Sequence, residues 1–112
     1  MTTVATVQLV APVQLSGADA TVYTAAALTT AQIIRAVFIN TTASAVTITA
    51  GITTGGALGA STTLISARTV APGESYVSPE LAGAVIPAAS VIRAYASSGA
   101  AITITVSGIT IT

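Results

Sequence analysis

The sequence predicts an all-β fold: a compact antiparallel β-sandwich, jelly-roll-like, with about eight short strands. Three observations predict it. The chain is rich in Val, Ile and Thr, whose branched side chains pack well on a pleated surface. Apolar and hydroxyl residues alternate with a period of two in several segments. Turn-forming clusters interrupt those segments at short, regular intervals.

Taken in order, the segments near 3–10, 20–25, 32–40, 44–50, 62–70, 74–79, 90–96 and 100–106 read as strands. The first is built from Val and Thr, and residues 1–12 read as an N-terminal arm or an edge strand of a single domain spanning 1–112. Residues Thr24 to Ile34 contain Ala and Leu and compete weakly as a helix; Thr29-Thr30 and the β-rich continuation argue against it. Ile33–Ile39 and Val91–Ala96 are apolar on both parities and read as central strands covered on both faces. Asn40-Thr41-Thr42 separates the first of these from an alternating strand, Val46, Ile48 and Ala50 against Thr47 and Thr49. Gly51–Ala60 has four glycines and reads as a flexible loop. Ala71-Pro72-Gly73-Glu74 is a turn, with Pro fixing φ and Gly after it. Ser97-Ser98-Gly99 makes the next turn.

The last strand alternates Ile102, Ile104 and Val106 against Thr103 and Thr105, and then Ile109 and Ile111 fall on the opposite parity. Since a one-residue slip flips every side chain, either a bulge at Ser107-Gly108 restores the face or the last four residues form a separate arm. An internal echo runs alongside: Ile33-Ile34-Arg35-Ala36 matches Val91-Ile92-Arg93-Ala94, and each is followed by a turn and a Thr-alternating strand. The echo reads either as two similar hairpins in equivalent places of a two-sheet sandwich or, the stronger reading, as the chance self-matching of a chain this rich in Ile, Thr and Ala.

Composition narrows function. Six residues are charged, Arg35, Arg68, Arg93, Asp19, Glu74 and Glu80; they sum to zero and make up 5% of the chain, against about 25% in an ordinary soluble domain. With 24 Ala and 20 Thr, the surface is made of small apolar and hydroxyl groups. Such a surface loses little side-chain entropy on docking, and zero net charge promotes association. Cys, His, Lys and Trp are absent, so no disulfide framework or thiolate metal site exists. Three scattered arginines do not form the basic cluster that nucleic acid requires. Mean hydropathy is +0.90, yet the most apolar window, Leu81 to Ala96, is broken by Pro87 and Arg93. It falls short of the roughly 20 apolar residues of a spanning helix. MTTVATVQLV lacks the basic region and long apolar stretch of a signal peptide.

Catalysis finds little material. General acid–base work draws on His or paired carboxylates; Glu74 lies in a turn and Glu80 follows Pro79, both reading as solvent-facing. A nucleophilic Ser or Thr lacks a His or Lys to activate it. The chain therefore reads as a non-enzymatic assembly protein with no cofactor and no metal constellation, Asp19 with carbonyls being the one conceivable calcium donor set. Arg35 and Arg93 sit mid-strand among apolar neighbours. If buried, each needs a carboxylate or carbonyl, from Glu74, Glu80 or a neighbouring subunit; otherwise each snorkels from an outward face. Tyr and Arg are frequent interface anchors, which makes Tyr23, Arg35, Arg68, Tyr76, Arg93 and Tyr95 candidate interface residues, joined by Val4, Val7 and Leu9 of the N-terminal segment.

The succession Val22-Tyr23-Thr24, AVFIN at 36–40, VTITAG at 46–51, APGES at 71–75, LAGAVIPAASVIRAYAS at 81–97 and ITITVSG at 102–108 resembles small β-sandwich virion proteins of tailed bacteriophages. These include head decoration proteins and minor tail or fibre-associated proteins. The resemblance spans about residues 20 to 108, with far fewer charged loop residues here than in related patterns. It implies a virion location, with assembly in the host cytoplasm, and partners that are further copies of the chain (a small homo-oligomer, a trimer among the options) and a major capsid protein or other virion proteins. It places neither nucleic acid nor a membrane among them. The leading expectation is a capsid decoration protein. The alternative is a minor tail or fibre-associated protein in host attachment, with aromatic loops around a groove and Gly51–Ala60 as a contact. A carbohydrate-binding module fits poorly without Trp.

Overall fold

The computed structural model describes residues 3–112, which form nine strands and no helix. The strands are β1 (Val4–Gln14), β2 (Ala20–Thr24), β3 (Thr30–Asn40), β4 (Val46–Thr53), β5 (Thr63–Val70), β6 (Ser75–Val77), β7 (Val85–Ile86), β8 (Val91–Ala96) and β9 (Ile102–Ile111). They make two antiparallel sheets. The first runs β1-β9-β3-β6, with β7 also on β3; the second runs β2-β8-β4-β5. Each crossing from β1 to β2, β3 to β4 and β5 to β6 changes sheets, which is the double Greek-key connectivity of a jelly roll. The eight expected strands are all present; the two-residue β7 is an addition to them.

Alternation places the core. Ile102, Ile104 and Val106 of β9 face Ile48, Ala50, Ile92 and Ala94 of the other sheet's inner side, and all are buried. Ala31, Ile33, Ala36 and Phe38 of β3 join them. Inner-face residues are mostly aliphatic, with Phe38 the one fully buried aromatic.

The C-terminal strand departs from expectation. β9 contains no bulge and no separate arm: it pairs with β3 from Ile102 to Ile111 and with β1 from Thr103 to Ile111, where β1 has a further irregularity between Val10 and Val13. The extra residues lie opposite, as Leu9 in β1 and Ile34 in β3. Parity is kept through Gly108, which points inward, so Ile109 and Ile111 face out and are half-buried. Gly108 is required there, because a Cβ would stand 2.1 Å from the Gln32 carbonyl oxygen and 2.9 Å from Leu9 Cδ1. The missing side chain is the space that the bulged Leu9 fills.

The echo also resolves differently. β3 and β4 do not form a hairpin; they lie in opposite sheets, as do β8 and β9. IIRA of β3 pairs with the ITIT strand β9, and VIRA of β8 pairs with the VTIT strand β4. β3 and β8 are interior strands of their sheets, as foreseen, but β3 is not covered on both faces, since Ile34 and Arg35 are exposed.

Buried Asn40 ties the sheet crossing together. Its Nδ2 donates to the carbonyls of Ser44 (2.8 Å) and Val70 (3.0 Å), and its Oδ1 accepts from Thr42 N (2.9 Å) and Thr42 Oγ1 (2.7 Å). Its backbone N–H donates to the Glu74 carbonyl and its carbonyl accepts from Gly73 N–H. One side chain thus holds the β3–β4 crossing against the APGE turn, and both its ends are satisfied. At the opposite corner, Thr3 and Thr112 exchange two backbone hydrogen bonds (3.2 and 2.9 Å).

Candidate functional site

Three surfaces gather the chain's polar and exposed apolar groups. The first is a clasp on the outer face of the β2-β8-β4-β5 sheet. Arg93, outward-facing on β8, donates from Nε to Asp19 Oδ1 at 2.9 Å and from Nη1 to Thr21 Oγ1 at 2.9 Å. Asp19 Oδ2 accepts from Leu58 N–H at 2.9 Å. The pair is mostly shielded, with side-chain exposures of 17% and 24%. The clasp draws residues 54–62 back across the sheet and sets Leu58 over Gly51, where a Cβ would lie 2.8 Å from Leu58 Cδ2 and 2.1 Å from the Thr62 carbonyl oxygen. Gly51 is therefore a strand residue under a tethered loop, whereas the sequence reading put it at the start of a flexible one. A recess of about 330 Å³ opens beside it, lined by Ile52, Thr53, Ala57, Thr62, Pro87 and Ser90 and carrying no charged side chain.

Arg93 thus takes its partner from Asp19, not from Glu74 or Glu80. Glu74 instead closes its own turn, accepting from Ala71 N–H at 3.2 Å. Arg35 lies exposed on the outer face of the other sheet with no ion-pair partner among the described residues. The two arginines of the echo therefore differ: one is clasped, and the other reaches solvent.

The second surface closes the open edge of the sandwich between β5 and β6. The Arg68 guanidinium carbon lies 4.3 Å from the Tyr76 ring centroid, a cation–π contact. Tyr76 Oη donates to the Glu80 carboxylate, 2.5 and 2.8 Å from its two oxygens. The Tyr76 ring tilts against Phe38, with centroids 6.5 Å apart. Partial burial, then Glu80's hydrogen bond and negative charge, raise the Tyr76 phenol above its usual value, and Arg68 acts in the opposite direction.

The third is the outer face of the β1-β9-β3-β6 sheet. Val4 and Val85 are among its exposed apolar side chains, Val4 at 61%. Across it run rows such as Val4–Ile111–Thr30 and Gln8–Ser107–Arg35.

The remaining candidate residues are dispersed. Val7 is half-buried and inward-facing on β1. Leu9 is a core residue, because the bulge turns it inward over Gly108, and it is not free to meet a partner. Tyr23 packs inward beside Ile92, and Tyr95 is half-buried on the outer face opposite Thr49. Asp19 was missed as Arg93's partner because 74 residues separate the two; only strand pairing of β2 with β8 brings them together.

No protein-family model matches the chain, and no curated protein sequence matches it. Among solved structures it is similar to a chain in the structure of infectious bursal disease virus, Gx strain, with a TM-score of 0.53 and 16% identity. The likeness covers 99% of this chain and 37% of that one. At that identity it speaks to the shared sandwich fold.

Proposed function

We propose that the chain is a non-enzymatic virion structural protein of a tailed bacteriophage, and within that class a capsid decoration protein. It binds the outside of the major capsid protein shell as a small homo-oligomer, in a virion assembled in the host cytoplasm. The observation that carries the reading is the likeness, over nearly the whole chain, to a chain of a virus structure. The surface agrees with it: Thr, Ser and Ala dominate, and of the six charges Arg93 and Asp19 are spent on each other and Glu80 on Tyr76. Such a protein docks by area and shape, with Val4, Arg35, Arg68, Tyr76 and Tyr95 as candidate contact residues.

The tail or fibre reading calls for aromatic loops around a groove. Tyr23, Phe38, Tyr76 and Tyr95 all lie in strands, which favours decoration. Immunogold electron microscopy of purified particles tests the proposal. Gold spread evenly over the head is expected. Gold confined to the tail moves the assignment there, and particles without gold overturn the virion role.

A further inference from the structure

The four outer edges of the two sheets are not equally guarded. β6 and β7 have three and two residues. β2 has five, with an irregularity between Thr21 and Tyr23. β5 is disrupted by Ala67 at φ 47° and carries Arg68. Short strands, bulges and charges are the usual means of blunting an edge. β1 has none of these over Val4–Gln8: it pairs regularly with β9 there, has no charge, and meets its first proline only at Pro12.

The hydrogen-bond phase of that edge follows from one pair. Thr3 and Thr112 exchange both backbone bonds, so in an antiparallel ladder the bonded pairs continue at Ala5–Thr110 and Val7–Gly108. Val4, Thr6 and Gln8 then turn their N–H and C=O groups away from β9, toward solvent. A row of that kind fits an extended strand.

We propose that the occupant is β1 of a second copy of this chain, paired antiparallel about a two-fold axis at Thr6. In that register Val4 meets Gln8 of the second copy, Thr6 meets Thr6, and Gln8 meets Val4, so all six open backbone groups on each copy are satisfied at once. Ala5 and Val7 face each other as the closer, non-hydrogen-bonded pairs. The surface is its own complement, as a two-fold contact requires, and no like charges meet across it. The β1-β9-β3-β6 layers of the two copies become one continuous sheet, with Val4 of each copy beside the joint. The contact closes as a dimer and does not itself build a trimer. It deepens the homo-oligomer part of the proposed function and rests on that part alone.

Light scattering coupled to size exclusion, on the whole chain from micromolar to near-millimolar concentration, tests it. The expected mass is twice the 10.9 kDa of one chain, falling to a single chain in Thr6→Lys and Thr6→Pro. The proline removes an N–H that the β9 ladder does not use, so the monomer's strand signature by circular dichroism is retained. A monomeric wild type, or dimers that survive both substitutions, overturns the pairing. Should both variants unfold, Thr6→Cys decides. The two-fold pair brings the Cα atoms to about 5.5 Å, within disulfide reach, so mild oxidation gives a covalent dimer; absence of that product overturns the pairing. Gold labelling of particles is read separately, so a monomer that still decorates heads refutes the pairing and spares the virion role.

Discussion

At the scale of single residues, the two echoed arginines are the sharpest contrast. Their near-identical local sequences give no means of telling them apart; their neighbours across the sheet do. Arg93 has Asp19 and Thr21 from β2 and the preceding loop, while Arg35 stands opposite Ser107. Replacing Asp19 by Ala leaves a mostly shielded guanidinium without its carboxylate and frees Leu58 N–H, a loss of about 1–3 kcal/mol in chemical denaturation. Arg35→Met is expected to stay within about 0.5 kcal/mol of wild type. Equal losses in the two variants would refute the distinction. Tyr76 supplies a pH dependence. Its phenol holds its proton more tightly folded than unfolded, so the stability it contributes is full below the unfolded value near 10. That stability is lost as pH rises through the higher folded value. The melting temperature of wild type should therefore fall more steeply above pH 10 than that of Tyr76→Phe, and parallel curves would show that the phenol is not responsible.

At the scale of strands, period-two patterning was legible because buried and exposed faces alternate along β4, β8 and most of β9. It failed where a strand's irregularity belongs to its partner. The parity break after Val106 looked like a bulge in β9, but Gly108 has no side chain to report which face it occupies, and the extra residues sit in β1 and β3. Jelly-roll crossings were equally hidden: a short turn after Asn40 reads as a hairpin, and only the Asn40 bonds to Ser44 and Val70 show the chain leaving its sheet. The N-terminal segment, which reads as an arm or an edge strand, is placed at the edge of its sheet. As a free arm, residues 1–10 would be dispensable for folding. Met1 and Thr2 lie outside the described residues, but Val4–Gln8 pair with β9, and Leu9 and Val10 are buried. Losing two core side chains of that size removes about 2–5 kcal/mol each from a typical total of 5–15 kcal/mol. Deletion of residues 1–10 should therefore abolish or severely weaken the cooperative thermal transition. A truncated protein melting within a few degrees of wild type would contradict β1's place in the sheet.

At the scale of the whole molecule, measuring 49 × 26 × 20 Å, scarcity of charge is the governing property. Salt largely screens interactions between exposed charges more than about 10 Å apart at moderate ionic strength, and here the one ion pair among the described residues is shielded in the clasp. If the proposed decoration role holds, binding to the shell should change less than about threefold between low and high NaCl, measured by co-sedimentation with particles stripped of the protein; a steep salt dependence would point to Arg35 and Arg68 as electrostatic contacts. The bonded corner of Thr3 and Thr112 has another outcome. Because the path through all nine strands returns to where it started, the sandwich is topologically a closed loop with one cut. A sequence joined before Thr3 and another joined after Thr112 leave from a single point on the surface. The unit is therefore suited to being spliced into a tight turn of a host protein, or to having its ends linked and a new opening made among residues 54–62, without rearranging a strand.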